Sequence, residues 1–149
     1  MAMYTIPFSV IAGATEKSAV IITAANATVT VREVHFTDEL AAAADQAGQF
    51  RFMRAASYTG GTATTVTPAP LNRAVASLFT AKVNFSVEPT ITSAEVLPAE
   101  KVAAGATGVF DYSGEKGIKI YGVECTQFMV KAPATRTAPF TGYLLVEGD

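Results

Sequence analysis

The sequence has few of the residues that build metal sites, disulfide frameworks and nucleic-acid surfaces. Its 149 residues include one cysteine, one histidine and no tryptophan. A single cysteine excludes a disulfide within the chain, and the usual Cys/His ligand sets of structural zinc cannot be assembled. Charged residues make up only 16% of the chain and the formal net charge is −2. A basic surface for nucleic acid is therefore not expected.

Long apolar runs and a basic leader are also missing. No stretch reaches the roughly 18 uninterrupted apolar residues of a membrane-spanning helix. The first basic side chain is Lys17, so the N-terminus lacks the positive region of a secretory signal. We expect no membrane partner and a protein made in a reducing cytoplasm.

Small and β-branched residues are abundant in the sequence. Half of the residues are hydrophobic, and 27 Ala and 19 Thr dominate the composition. This hydrophobicity excludes disorder of the whole chain, and Thr and Val favour pleated strands. Length and even composition predict one domain, residues 1–149.

Short apolar or alternating segments recur along the chain between Gly, Pro and Thr. The clearest covers 80–88, where Val83, Phe85 and Val87 share one face. This spacing predicts an all-β fold, a single jelly-roll-like β-sandwich of about eight short strands with long loops. Predicted strands cover 4–11, 18–23, 27–37, 49–58, 80–88, 109–112, 118–121, 122–131 and 141–147.

Four segments have less regular patterns. Residues 1–10 are uncharged and contain Pro7, which predicts an edge strand or an extended N-terminal arm. Residues 59–70 are also uncharged and predict a long loop or arm. Residues 71–78 predict one or two helical turns. The segment from Asp38 to Gly48 fits a short helix and an Ala-rich loop equally well.

The residues that carry catalysis are sparse and isolated. His35 lies in a predicted strand without a Gly-x-Ser-x-Gly motif beside it, and Cys125 fits a buried small hydrophobic residue. Gly60 and Gly61 lack the Lys of a phosphate loop. Residues 50–54 mix Phe and Arg, but alternation places the two types on opposite faces, which argues against base stacking. We predict no enzymatic activity, no cofactor and no metal.

Four segments follow one another in a characteristic order. They are an extended first strand (4–11), a Thr/Val/Arg strand (27–36), an Arg/Ala-rich strand running into a Gly-Gly-Thr loop that ends in Pro-x-Pro-Leu (50–71), and a Tyr-Leu-Leu-Val-Glu strand (143–147). Together they resemble jelly-roll capsid decoration (cement) proteins of tailed bacteriophages. The resemblance implies a homotrimer on the capsid surface of the virion, assembled in the host cytoplasm, with the major capsid protein as partner and no catalytic residues. The Trp often found near the last strand of such proteins is absent, and Tyr143 is our candidate for its place.

The two uncharged segments supply the residues expected to bind partners. An extended arm can add a strand to a neighbour's sheet edge, and a trimer multiplies weak contacts with a repeated surface. The candidates are Tyr4, Ile6, Phe8, Tyr58, Gly60, Gly61, Pro68, Pro70 and Leu71. Two alternatives stay open: a tail-fibre or spike module that binds host glycans, with Tyr58, Asp111 and Tyr112 as candidates, and a tail or head–tail connector subunit.

Overall fold

Strands dominate the computed structural model, which describes residues 2–41, 45, 47–72, 75–112, 114 and 117–148. The strands are β1 (Ala2–Val10), β2 (Lys17–Thr23), β3 (Thr28–Asp38), β4 (Gly48–Ala55), β5 (Tyr58–Thr59), β6 (Thr62–Val66), β7 (Ala69–Pro70), β8 (Thr80–Val87), β9 (Thr90–Ile91), β10 (Ala94–Val102), β11 (Thr107–Asp111), β12 (Ile118–Tyr121), β13 (Cys125–Lys131) and β14 (Phe140–Gly148). The predicted all-β, sandwich-like character is confirmed. The described residues form fourteen strands in three sheets, where about eight strands were predicted.

Two large antiparallel sheets contain twelve of the described strands. The first sheet has the order β11-β3-β14-β1-β7, with β12 also paired to β3. The second sheet has the order β10-β4-β13-β2-β8-β6, and β5 pairs with β9 in a small third sheet. Because β1 to β4 enter the two large sheets in turn, the chain closes around one core between them.

Phenylalanine rings fill the centre of that core. Phe128 stacks on Phe52 with ring centroids 5.0 Å apart and meets Phe50 edge-on at 5.4 Å. All three are at most 1% exposed. Aromatic pairs of this geometry contribute about 0.5–1.5 kcal/mol beyond the area they bury. The predicted alternation is confirmed, since Phe50 and Phe52 share the buried face while Arg51 is partly exposed.

The N-terminal segment is a strand of the first sheet. Tyr4, Ile6 and Phe8 are 0%, 0% and 4% exposed, and Tyr4 meets the Phe79 ring edge-on at 5.2 Å. β1 pairs with β14 over its full length. The free-arm interpretation is wrong, because the apolar side chains of this segment complete the chain's own core.

The other edge of β1 is partly covered and partly blunted. β7 pairs with it at Tyr4 and Thr5. Further along, Pro7 has no N–H to offer, and the Ser9 N–H is donated to the side-chain oxygen of Asn84 at 3.0 Å. An incoming strand therefore finds few free donors on this edge.

The segments predicted to be loops or helical turns contain more strand than expected. Residues 59–70 contribute to β5, β6 and β7, with a turn at Gly60 and Gly61 whose φ values are 70° and 81°. The described residues of 71–78 are not helical. β3 runs on to Asp38, and residues 39–41, 45 and 47 have no regular structure. The rest of the helix considered for that segment lies outside the described residues.

Two acidic residues tie the loops together at one end of the sandwich. Asp38 forms a buried ion pair with Arg136, whose guanidinium lies 4.0 Å from the centre of the Phe140 ring. Asp45 accepts the N–H of Thr137 at 2.8 Å. Hydrogen bonds from backbone N–H groups, that of Thr137 first, lower the pKa of Asp45 to about 2.

Candidate functional site

The nine residues predicted to bind partners are not all at the surface. Tyr4, Ile6, Phe8 and Pro68 are buried, Tyr58 and Pro70 are half-buried, and Gly60, Gly61 and Leu71 are exposed. The four buried side chains pack inside the fold, so they offer nothing to a partner. A binding surface has to be sought elsewhere on the molecule.

The outer face of the first sheet carries three cross-strand rows, which we call the three-row face. Each row crosses β1, β14, β3 and β11, and neighbours within a row are directly opposite in register. Such partners point to the same side of a sheet, and none of the twelve is buried. The rows are Ser9, Thr141, Thr37 and Thr107; Pro7, Tyr143, His35 and Val109; and Thr5, Leu145, Glu33 and Asp111.

The three rows differ in chemistry. The first consists of hydroxyl side chains, and the Thr37 and Thr107 oxygens are 3.4 Å apart. The second is aromatic and aliphatic, with Val109 57% and Tyr143 37% exposed. Carboxylates occur only in the third row. A contiguous, weakly charged face of this kind is typical of an interaction surface.

A stacked pair of rings forms the centre of the three-row face. The rings of His35 and Tyr143 are 4.2 Å apart and 13° from parallel. The Nε2 atom of His35 lies 2.9 Å from a carboxylate oxygen of Glu33, which orients the imidazole. Side chains held in this way lose little further freedom when a partner covers them.

A glycine allows the two strands under this stack to approach each other. A Cβ atom at Gly142 would lie 1.8 Å from the backbone oxygen of His35, and φ is 154°. Because the obstacle is backbone, only glycine fits. The residue next to Gly142 is Tyr143, so this close approach helps to set the Tyr143 ring over His35.

The outer face of the second sheet is partly covered by the chain itself. Ile21, Ala55, Phe85 and Cys125 form a second buried cluster. Tyr58, Ala63 and Ile91, which belong to the insertion of residues 58–91 between β4 and β10, pack against it. Burial raises the pKa of the Cys125 thiol and of the Tyr58 phenol. A raised thiol pKa disfavours the reactive thiolate.

A groove of about 570 Å³ lies where the two sheets part, and we call it the edge groove. One wall is β10, the edge strand of the second sheet, and the other is formed by β11 and β12. Leu97 and Phe110 give it apolar surface, while Arg54, Glu100 and Asp111 give it charged groups of both signs.

Tyr112 lines the edge groove and has an unusual environment. Its side chain is only 8% exposed and its ring meets Phe52 edge-on at 5.8 Å. Among the described residues its hydroxyl has no hydrogen-bond partner. Burial, and secondarily the charge of Glu100, raises the pKa of Tyr112.

Among the described residues, no three His, Cys, Asp or Glu side chains could hold a metal ion. The polar contacts of His35 lead to Glu33 and not to a nucleophile. Sequence reasoning missed the three-row face because its rows depend on the pairing of distant strands. One available signal was the alternation of Thr5, Pro7 and Ser9 with large apolar neighbours.

Comparison of the sequence with protein-family models and with curated proteins finds no match, and comparison with solved structures finds none. Of the helices in the described part of the chain, none is long and apolar enough to cross a membrane. Function therefore has to be argued from the three-row face and the edge groove.

Proposed function

We propose that the chain is a structural virion protein of a tailed bacteriophage, a jelly-roll decoration (cement) protein that binds and stabilises the outer capsid surface as a homotrimer. The major capsid protein is its partner. The observation that carries the proposal is the three-row face. A weakly charged face with ordered side chains suits repeated attachment to a protein surface.

The strand order supports the jelly-roll part of the proposal. Taken in chain order, β1, β2, β3, β4, β10, β11, β13 and β14 are eight strands. The first, eighth, third and sixth are neighbours in the first sheet, and the second, seventh, fourth and fifth are neighbours in the second. Two sheets with these neighbours are the pattern of a double Greek key. The remaining strands are then additions to that framework.

Interface chemistry supports the docking role of the three-row face. Cores of protein interfaces are poor in charge and rich in aromatic residues, and the second row places Tyr143 and Val109 side by side with His35. The threonine row adds hydroxyl groups that can donate and accept. Threefold attachment raises a weak contact to stable binding.

Lysines introduced on the three-row face test the proposal. We expect the double variant Thr37→Lys, Thr141→Lys to bind capsids stripped of this protein at least about 100-fold more weakly than wild type. Docking would bury two adjacent positive charges without a counter-ion. The control is Thr64→Lys, Thr65→Lys on β6, where both threonines are exposed. The control should cosediment with capsids as wild type does.

Three outcomes contradict parts of the proposal. Undiminished binding by the face variant removes the docking surface. Absence of the wild-type chain from purified virions and from reconstituted capsids removes the decoration function. In light scattering, a mass other than three times 15.5 kDa removes the trimer, and a ring of six or more favours a tail or connector subunit.

A further inference from the structure

We infer that the edge groove is a binding site for a neutral oligosaccharide, with Tyr112 at its floor and with Arg54 and Glu100 as polar walls. This site adjoins the three-row face, with which it shares Val109 and Asp111, and it is proposed for a different ligand. Its volume of about 570 Å³ lies within the roughly 300–1,000 Å³ that is usual for small-ligand sites.

The buried hydroxyl of Tyr112 is the first reason. It has no partner among the described residues although it is shielded from bulk solvent. Native proteins rarely leave a buried hydroxyl unpaired, since burial without a partner is costly. A ligand hydroxyl, directly or through one water, would supply the missing hydrogen bond. The contact with Phe52 holds the ring in place before any ligand arrives.

The mixture of groups around it points to a neutral ligand with many hydroxyls. Glu100 is an acceptor and the Tyr112 hydroxyl is both donor and acceptor. Arg54 already donates from Nη2 to the Lys119 carbonyl at 2.8 Å, which fixes its guanidinium and leaves its other N–H groups as donors. A ligand anion would meet the Glu100 and Asp111 carboxylates, and a ligand cation would meet Arg54. Sugar hydroxyls can pair with each of these groups, and the C–H faces of a sugar ring can lie on Leu97 and Phe110.

An extended peptide is the competing occupant, because both walls are sheet edges. Adding a strand requires a regular ladder of backbone donors and acceptors. On β10 that ladder is interrupted by register shifts between Glu95 and Leu97 and between Leu97 and Glu100, and Pro98 lies within the second. Such irregularities are devices that keep strands off an edge. The wall therefore favours a saccharide.

The test is calorimetric titration of the full chain with neutral trisaccharides built from glucose, galactose or N-acetylglucosamine. We expect wild type to bind at least one of them. Tyr112→Phe and Glu100→Gln should each weaken that binding about 10-fold or more, as expected for lost hydrogen bonds to buried or charged groups. The matched control is Tyr121→Phe, since Tyr121 is 62% exposed and outside the groove lining.

A second readout separates ligand binding from a structural role. The Tyr112 hydroxyl has no hydrogen bond to lose in the free protein and is costly to bury unpaired. Tyr112→Phe should therefore keep or raise the melting temperature of wild type while it loses sugar affinity. The inference is overturned if no trisaccharide binds at about 10 mM, which is on the order of the weakest useful affinities. It is also overturned if neither substitution changes the affinity for the sugar. If peptides selected for binding to the chain bind equally well with and without the Tyr112 substitution, the groove is a site for an extended peptide strand. The capsid assay uses other residues, so either proposal can fail alone.

Discussion

Arg136 and Asp38 form an ion pair in which the two side chains are 1% and 0% exposed. Asp38 also accepts the N–H of Gly105 at 2.9 Å, and the Arg136 guanidinium covers the Phe140 ring. The end of β3, the turn before β11 and the segment before β14 are thus joined at one buried point.

Removing one partner of this pair should be costly. We expect Asp38→Asn to lower the free energy of unfolding by about 3–5 kcal/mol, because it leaves the Arg136 charge buried without a counter-ion. The control is Glu147→Gln in the Arg32–Glu147 pair, whose side chains are 27% and 25% exposed and whose loss should cost at most about 1 kcal/mol. Urea unfolding measures both. Equal losses would contradict the special role of the buried pair.

Asp45 should make stability depend on pH in the acid range. Its pKa is lowered from 3.8 to about 2 in the folded protein. The carboxylate therefore stabilises the fold above pH 3.8, and this contribution is lost as the pH falls towards 2. Thermal unfolding of wild type should show a steeper fall between pH 4 and 2, a window set by the two pKa values, than Asp45→Asn. Parallel profiles of the two proteins would contradict this.

Gly142 should be intolerant of any side chain. We expect Gly142→Ala to destabilise the fold by about 3 kcal/mol or more, because its Cβ would overlap the backbone of His35. At Gly13 the nearest atom to a new Cβ is 3.5 Å away, so Gly13→Ala should change stability by less than about 1 kcal/mol. Calorimetric melting of the two variants compares them. A wild-type melting temperature for Gly142→Ala would show that the strands can separate.

Cys125 should be chemically silent in the native protein. Its thiol is buried and its pKa is raised, so we expect a disulfide reagent at pH 8 to modify it at least about 100-fold more slowly than in the unfolded chain. Phe85→Ala should speed the reaction because Phe85 packs in the same cluster. Val87→Ala, at a side chain 56% exposed on the same strand, should not. Fast modification of wild type would show that the buried cluster around Phe85 does not shield the Cys125 thiol.

Local patterns predicted the strands whose two faces meet different surroundings. In β8, Val83 and Phe85 are buried between exposed neighbours, as the alternation of 80–88 indicates. The single shared face predicted there is wrong, because Val83 and Phe85 pack in different clusters and Val87 is 56% exposed. β10 was missed because its burial pattern follows no alternation, since most of its residues are exposed on both faces. Alternation reports a strand only when one face is covered.

The binding surfaces depend on pairing between distant segments, which local patterns do not contain. The sequence pattern of Tyr4, Ile6 and Phe8 is the same whether these side chains pack on a neighbouring molecule or in the core of their own chain. Tyr112 and Glu100 face one groove only because β10 and β11 end up at adjacent edges of different sheets. Asp111 and Tyr112 were candidates for glycan contact by residue type alone, and both line that groove.

The pairing of β1 with β14 also determines when the first sheet can be finished. Val10 and Phe140 are partners, although about 130 residues are synthesised between them. At the usual rate of about 5–20 residues per second, the ribosome needs on the order of 10 s to supply the missing strand. During that time Tyr4, Ile6 and Phe8 have no β14 beside them. The sheet that carries the three-row face is therefore completed last, and a chain released before β14 would leave an apolar strand open to aggregation.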